Sequence, residues 1–155
     1  MEIQYEASNA KGLDLVEPLW QRLNQYHLER SRHFSHHYAT RTFAARKAEM
    51  LNKSKGGFLR TDLARDSETE SLIGYCLSTI AEDGLAEIGS IYVEPDYRRA
   101  GIGHNLAARA LQWMDDAEAK RKVLSVAAGN EDVFAFYSRY GFYPRSIVLE
   151  QVDKV

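Results

Sequence analysis

The stretch that decides the fold is VEPDYRRAGIGHNLAARALQWM (residues 93–114), which joins a strand-like segment to a helix-like one. Gly101 and Gly103 lack a Cβ, so main-chain N–H groups there can approach a ligand that a side chain would keep away. The following helix directs the positive end of its dipole at the same spot, and Arg98 and Arg99 add positive charge. Such a loop suits a phosphate or pyrophosphate. The stretch therefore predicts a phosphate-binding strand-to-helix loop.

The rest of the chain has the composition of an ordinary globular domain. Its 155 residues are 45% apolar and 27% charged, which predicts a single domain over residues 1–155 with a sizeable core. A formal charge of −2 gives no support for a nucleic-acid or membrane partner. The single cysteine, Cys76, is typical of a reducing compartment. The start, MEIQYEAS, lacks the basic and apolar regions of a secretion signal, so we expect a cytoplasmic protein.

Hydrophobic periodicity predicts an α/β fold of the mixed-sheet (α+β) kind, in the order β-α-α-β-β-β-α-β-α-β. The predicted strands are residues 2–7, 58–64, 71–80, 85–93, 123–128 and 142–152. The predicted helices are residues 14–26, 40–52, 101–119 and 130–141, the first of them capped by Asp14. Residues 27–39, HLERSRHFSHHYA, are polar and carry no clear pattern.

Three interpretations of the glycine loop compete. A nucleotide-binding P-loop requires Lys-Ser/Thr after its last glycine, but His104 and Asn105 follow Gly103. A dinucleotide fingerprint requires a third Gly or Ala, where this chain has Leu106. The third interpretation is a tight turn eased by two glycines, with the arginines solvated.

Two motifs, in order, resemble the GNAT superfamily of N-acetyltransferases. Residues 98–103, RRAGIG, resemble its Q/R-x-x-G-x-G/A signature, and the preceding IYVEP (residues 91–95) looks like its IYVxP lead-in. The second motif, residues 130–142, resembles N-x-x-A-x-x-F/L-Y-x-x-x-G-F, with Val133 where alanine is usual. Together the motifs favour a GNAT-like fold with a splayed central sheet.

The resemblance implies acetyl-CoA as acyl donor and no metal. The pantetheine arm would lie along the edge of strand 85–93, where it splays from strand 123–128, and Gly89-Ser90 could supply the bulge that such a splay needs. The arm's amides would pair with backbone of Ile91 and Val93. The implied donor-binding residues are Ile91, Tyr92, Val93, Arg98, Arg99, Ala100, Gly101, Ile102, Gly103, Asn105, Asn130 and Tyr137.

Tyr137 stands at the motif position that the family uses to protonate the departing thiolate. Its phenol, with a pKa of about 10, is able to donate to a thiolate whose acid has a pKa of about 8.5. The alternative is a core tyrosine that packs the helix among the neighbouring aromatic residues.

Glu87 is the candidate general base. An alkylammonium of pKa about 10.4 must lose a proton before it can attack, and some family members carry a glutamate at this strand position. By period two, Glu87 is predicted to share a face with Gly89, Ile91 and Val93. The alternative is a rim glutamate in a salt bridge. For the developing oxyanion, the donor expected is the backbone N–H of Ile91 or Tyr92.

The amine site is predicted from architecture alone. In this family the segment between the first two helices helps to cover the acceptor, which makes Tyr26, His27 and Phe34 candidate substrate contacts. His33, His36 and His37 lie in the same segment, but their spacing is not an established metal-ligand pattern.

These features predict an acetyl-CoA-dependent N-acetyltransferase. The acetyl group would pass to a small-molecule or peptide primary amine by direct attack in a ternary complex. The alternatives are a non-catalytic acyl-CoA-binding or sensor module with the same fold, and an unrelated nucleotide-binding domain. The terminal strand near residues 147–152 offers a surface for exchange between two copies, so a homodimer is a further expectation.

Overall fold

The computed structural model describes residues 1–152. Its strands are β1 (Ile3–Ser8), β2 (Phe58–Asp66), β3 (Leu72–Ile80), β4 (Leu85–Val93) and β5 (Arg121–Leu124). Its α-helices are α1 (Glu17–Arg30), α2 (Ser35–Thr40), α3 (Phe43–Lys53), α4 (Ile102–Asp116) and α5 (Phe134–Ser138), and short 3₁₀ helices cover Ala10–Val16, Pro95–Tyr97 and Glu131–Val133. No helix in residues 1–152 is long and apolar enough to cross a bilayer.

The described residues form two compact units. The first, residues 1–23 and 42–125, holds a five-stranded sheet in the order β1-β2-β3-β4-β5. Strands β1 to β4 are antiparallel neighbours, and β5 is parallel to β4. The second unit, residues 24–41 and 126–152, holds the end of α1 together with α2 and α5. The predicted mixed α/β fold class is confirmed.

The sheet of the first unit carries apolar side chains on both faces. On one face a buried cluster joins the N-terminal helices to the sheet, with Trp20 and Phe43 in edge-to-face contact at 5.5 Å. The other face packs against α4, whose Leu106 lies beside Gly74 of β3. Helix α4 buries Ile102, Leu106, Ala107, Ala110 and Met114. These positions recur at helical spacing, which explains why the sequence identified this helix.

The N-terminal half differs from its predicted bounds. Asp14 does not cap a helix, because the chain first forms the 3₁₀ turn at Ala10–Val16, where the Asn9 side chain accepts from the N–H of Lys11. Asp14 instead accepts from Lys47. Residues 27–39, left unassigned from sequence, continue α1 to Arg30 and then form α2. Helix α2 buries none of its residues, so no apolar periodicity marked it.

The predicted strand over residues 142–152 is wrong, since the structure gives this segment no strand or helix. Its apolar residues are exposed, with Ile147, Val148 and Leu149 at 82%, 91% and 92%. A strand requires a partner that satisfies its backbone groups, and β-branched residues alone do not supply one. The homodimer expected from strand exchange therefore loses its structural basis in this segment and stays a prediction.

Candidate active site

The glycine loop has the conformation that its composition predicts. Gly101 is the N-cap of α4 and is left-handed, with φ +78°, and a Cβ built there would meet no protein atom within 4 Å. The N–H of Asn105 closes the first helical turn on the Gly101 carbonyl at 3.0 Å. The N–H groups of Ile102 and Gly103 precede that turn and have no intrahelical acceptor. The loop thus presents backbone donors beside an open space, as an anion site requires.

The two arginines of the loop differ in role. Arg98 donates from Nε to the Val93 carbonyl at 2.8 Å, and its guanidinium lies 5.4 Å from the centre of the Tyr92 ring. It therefore ties the loop to the end of β4. Arg99 is exposed and has φ +65°, rare for a residue with a Cβ. Asn105, also exposed, accepts from Arg109 at 2.9 Å.

Strand β4 contains the predicted bulge. The pairing with β3 steps from Leu77↔Ser90 to Ser78↔Ile88, which leaves Gly89 as the extra residue. The parallel pairing with β5 ends at Ile88↔Leu124, one residue before that bulge. Beyond Ile88, β5 therefore offers β4 no partner, which is what the predicted splay requires. The same loss of pairing explains why β5 is Arg121–Leu124 and not residues 123–128.

The backbone of β4 beyond the bulge faces this unpaired edge at alternate residues. The Glu94 N–H donates to the Ile73 carbonyl on β3 at 2.8 Å. Since successive residues of a strand direct their N–H and C=O groups to opposite sides, Tyr92 also points toward β3, while Ile91 and Val93 point away. The backbone N–H and C=O groups of Ile91 and Val93 thus face the unpaired edge, whereas those of Tyr92 face β3.

Glu87 lies on the α3 side of the sheet in an ion-pair network. Its carboxylate is 3.2 Å from the Lys53 ammonium, and its side chain is 19% exposed. Lys53 also lies 3.5 Å from Glu49, which accepts from Arg46 at 3.0 Å. The salt bridge expected as the alternative role of Glu87 is therefore present. Its Lys53 side chain is 36% exposed, so solvent reaches that end of the pair.

The predicted face-sharing of Glu87 with Ile91 and Val93 is wrong, because the extra residue at the bulge reverses the alternation. The Ser90 hydroxyl donates to the hydroxyl of Tyr75, which lies in the core cluster on the α1 and α3 side. Val93, by contrast, contacts Gly74 beside Leu106 of α4. Glu87 therefore shares its side of the sheet with Ser90 and Tyr92.

Arg46 is a buried residue beside the bulge that the sequence reasoning missed. It is 8% exposed and donates from Nη2 to the Gly89 carbonyl at 2.6 Å. A Cβ on Gly89 would come within 2.5 Å of Met50 Cε and 3.2 Å of Arg46 Nη2. The available signal was a cation inside the apolar stripe of α3, between the buried Phe43 and Met50.

The second unit brings together two of the three predicted acceptor contacts. The ring of His27 lies 6.0 Å from Tyr26 and 5.6 Å from Tyr38, and Arg30 stacks over Tyr26 at 4.4 Å. Burial, reinforced by the nearby Arg41, lowers the pKa of His27 to about 4, so the imidazole is neutral at physiological pH.

Phe34, the third predicted acceptor contact, stands at the start of α2, where its N–H donates to Ser31 Oγ at 2.9 Å. Within residues 1–152 no group of three or more potential metal ligands is present, and His33, His36 and His37 are all exposed.

Tyr137 is buried in α5, where it contacts Phe136 at 5.0 Å and Phe142 at 6.1 Å between ring centres. This is the aromatic packing that the sequence offered as the alternative to catalysis. Asn130 opens the 3₁₀ turn before α5, and its carbonyl accepts from the N–H of Val133 at 3.2 Å. The second motif therefore corresponds to one compact turn and helix.

The bulged strand and the glycine-capped helix lie within a stretch of the chain that matches a known family. The family model of the GNAT acetyltransferases matches residues 20–142. The chain belongs to the GNAT acetyltransferase family. This confirms the resemblance drawn from its two motifs.

Individual relatives agree with this assignment. The chain is 33% identical over 72 residues to an uncharacterized N-acetyltransferase of Methanocaldococcus jannaschii, a match that covers 46% of this chain and 32% of that protein. It is 32% identical over 76 residues to the putative [ribosomal protein bS18]-alanine N-acetyltransferase of Bacillus subtilis, covering 49% of this chain and 50% of that one. The chain thus spans half or less of the length of these relatives.

Among solved structures, the PaiA N-acetyltransferase of Thermoplasma acidophilum in complex with coenzyme A superposes with a TM-score of 0.73 at 18% identity, covering 96% of this chain and 94% of that chain. At that level of identity the likeness shows the fold alone.

Proposed function

We propose that this protein is an acetyl-CoA-dependent N-acetyltransferase that acts as one domain over residues 1–155 and acetylates a primary amine by direct attack in a ternary complex. The observation that carries the proposal is the edge of β4 beyond Gly89, which lacks a strand partner in β5 and leads directly into the glycine-capped α4. An extended arm that ends in a pyrophosphate matches both features.

The chain's own residues can hold such a donor along its length. The Val93 N–H and the Ile91 carbonyl would pair with the amide groups of the arm, which leaves the Ile91 N–H for the chemistry. The N–H groups at the start of α4, around Gly101 and Gly103, would bind the pyrophosphate, helped by the helix dipole. Arg98 would contribute by holding the loop against β4 more than by direct charge pairing, since its Nε donates to Val93.

Acetyl-CoA supplies an acyl group activated by a thiol leaving group. For the chemistry that follows, Ile91 would donate its N–H to the carbonyl oxygen on which negative charge develops. Glu87 would accept the proton of the amine, directly or through water. Tyr137 would donate its phenolic proton to the departing sulfur. Asn130, by its motif position, would contribute to the donor site.

The ion pair with Lys53 limits when Glu87 can act as a base. The Lys53 ammonium already pairs with the Glu87 carboxylate at 3.2 Å, where an amine would have to bind. Glu87 can therefore act as a base only when the arriving amine, or a water that serves it, displaces or shares Lys53. Because Lys53 is 36% exposed, its side chain has the freedom to swing into solvent.

The proposal is tested by free-thiol release from acetyl-CoA with a panel of amines: an alkylamine, putrescine, an aminoglycoside, an amino acid, a tripeptide amide and a lysine-containing peptide with a blocked N-terminus. An acetyltransferase releases one thiol per acetylated amine, and mass spectrometry of the product confirms the transfer. Acetyl-CoA binding without turnover of any amine would instead favour the non-catalytic acyl-CoA-binding module.

A further inference from the structure

The Arg46 side chain has one polar atom that the fold leaves without a partner. Its Nη1 donates to Glu49 at 3.0 Å and its Nη2 to the Gly89 carbonyl at 2.6 Å. Its Nε is buried and has no hydrogen-bond partner. A buried donor of this kind is rare in native structures, and leaving it unsatisfied is costly. An oxygen acceptor from a bound molecule would satisfy it.

Arg46 belongs to the same connected network as the proposed base. Glu49 links it to Lys53, and Lys53 in turn contacts Glu87. One end of the network thus presents a guanidinium N–H and the other a carboxylate, both on the α3 side of β4. An ammonium would bind at the carboxylate and an uncharged or anionic oxygen at the guanidinium.

We infer that Arg46 is a specificity-determining residue whose Nε–H binds a carbonyl or carboxylate oxygen close to the reacting nitrogen of the amine substrate. The substrate class is therefore the amino acids and peptide N-termini, and not polyamines or simple alkylamines. This inference rests on the proposed acetyltransferase function, which it deepens.

The structure favours the amine substrate over acetyl-CoA as the source of that oxygen. The predicted path of the donor runs along the edge of β4 at Ile91 and Val93, which lies in the plane of the sheet. Arg46 approaches Gly89 from α3, on the face that also carries Glu87. The Gly89 carbonyl already accepts from Arg46 Nη2, so the Nε–H requires a further acceptor.

The test compares kcat/KM for trialanine amide and for propylamine in the wild type and in Arg46→Lys. Lysine retains the charge and one donor for Gly89 but lacks the fixed guanidinium fork. We expect kcat/KM for the peptide to fall on the order of 10- to 100-fold, the range of a charge-assisted hydrogen bond, while propylamine changes little. The matched control is Arg65→Lys, since Arg65 donates to Glu6 on β1, the edge strand farthest from β5.

Three results with an active enzyme would overturn the inference. An equal fall for both amines would make Arg46 a support for the bulge, and a loss of acetyl-CoA affinity without amine would assign the oxygen to the donor. If the lysine variant does not fold, Arg46→Gln replaces it, and kcat/KM for trialanine amide is again compared with kcat/KM for propylamine. A wild type that acetylates only oxygen-free amines overturns this inference alone. If no amine in the panel is acetylated, the proposed function fails as well.

Discussion

Replacing Gly101 with alanine separates the two roles that the structure gives this residue. The new Cβ meets no protein atom within 4 Å, so the substitution destabilises the fold only through the left-handed backbone at this position, φ +78°. That conformation costs a residue with a Cβ about 1–2 kcal/mol. For a chain of this size, each 1 kcal/mol lowers Tm by about 2–4 °C. We therefore expect the variant to fold with a modestly reduced Tm.

We expect acetyl-CoA affinity to fall by more than the stability of the fold does, because the methyl group enters the space that the pyrophosphate would occupy. At a concentration of 100 times Kd, a ligand stabilises the folded state by about 2.7 kcal/mol, and a tenfold weaker ligand at that concentration by about 1.4 kcal/mol. A thermal-shift titration with acetyl-CoA resolves this difference. We expect Kd to rise tenfold or more.

Gly141→Ala is the matched control. Gly141 also has a left-handed backbone, φ +83°, and a Cβ there likewise meets nothing within 4 Å. Both variants should lose similar stability, but only Gly101→Ala should lose acetyl-CoA affinity. If the two variants bind acetyl-CoA equally well, the phosphate assignment of the loop is refuted.

Three further predictions concern single side chains. Glu87→Gln should lower kcat at pH 7 on the order of 10²- to 10⁴-fold, and kcat should partly recover as pH rises and free amine accumulates. If the pH–rate profile is unchanged, Glu87 is a structural residue and not the base. Tyr137→Phe should lower kcat on the order of 10-fold or more while acetyl-CoA affinity and Tm stay close to wild type. The fall in kcat should be smaller with a donor whose leaving thiol is more acidic. If activity falls only because the protein is less stable, Tyr137 is a core-packing residue. The pKa of His27 falls from an ordinary 6.5 to about 4 on folding, so the unfolded state binds the proton more tightly and stability should rise between pH 4 and 6.5. Because the ring is partly exposed, we expect the free energy of unfolding to change by only about 1–2 kcal/mol over this pH range. Urea unfolding at each pH measures it. The change should be absent in His27→Gln and retained in His33→Gln, the control at an exposed histidine.

The sequence predicted what depends on local chemistry. β4 has its predicted bounds, and the glycine loop leads into α4 as predicted, because a turn signal, a proline and a helical stripe each mark a boundary. The bulge at Gly89 was also predicted, since an isolated glycine within a strand is typical of one.

The sequence failed where a long-range partner decides the structure. Residues 142–152 have strand-like composition, but the described residues supply them with no strand to pair with. Arg46 was overlooked because an arginine within a helix normally lies on its solvated face, and only the position of Gly89 across from α3 makes it a buried donor. The pairing of Glu87 with Lys53 likewise joins residues that are distant in sequence.

The bulge at Gly89 accounts for most of the site's arrangement. With regular alternation, Glu87, Ile91 and Val93 would lie on one face, and the proposed base would lie on the same side as the residues proposed to bind the donor arm. The extra residue instead keeps Glu87 on the α3 face, together with Ser90 and Tyr92. It coincides with the end of pairing to β5, which leaves the N–H groups of Ile91 and Val93 available.

Glycine is required at this bulge, because a Cβ would overlap Met50 at 2.5 Å, and its carbonyl is fixed by the guanidinium of Arg46. The same contact that holds the bulge also places the unpaired Nε of Arg46 beside it. A single inserted glycine thus connects the edge proposed for the donor to the face proposed for the amine, and this is why a change at Arg46 is expected to alter substrate choice before it alters coenzyme binding.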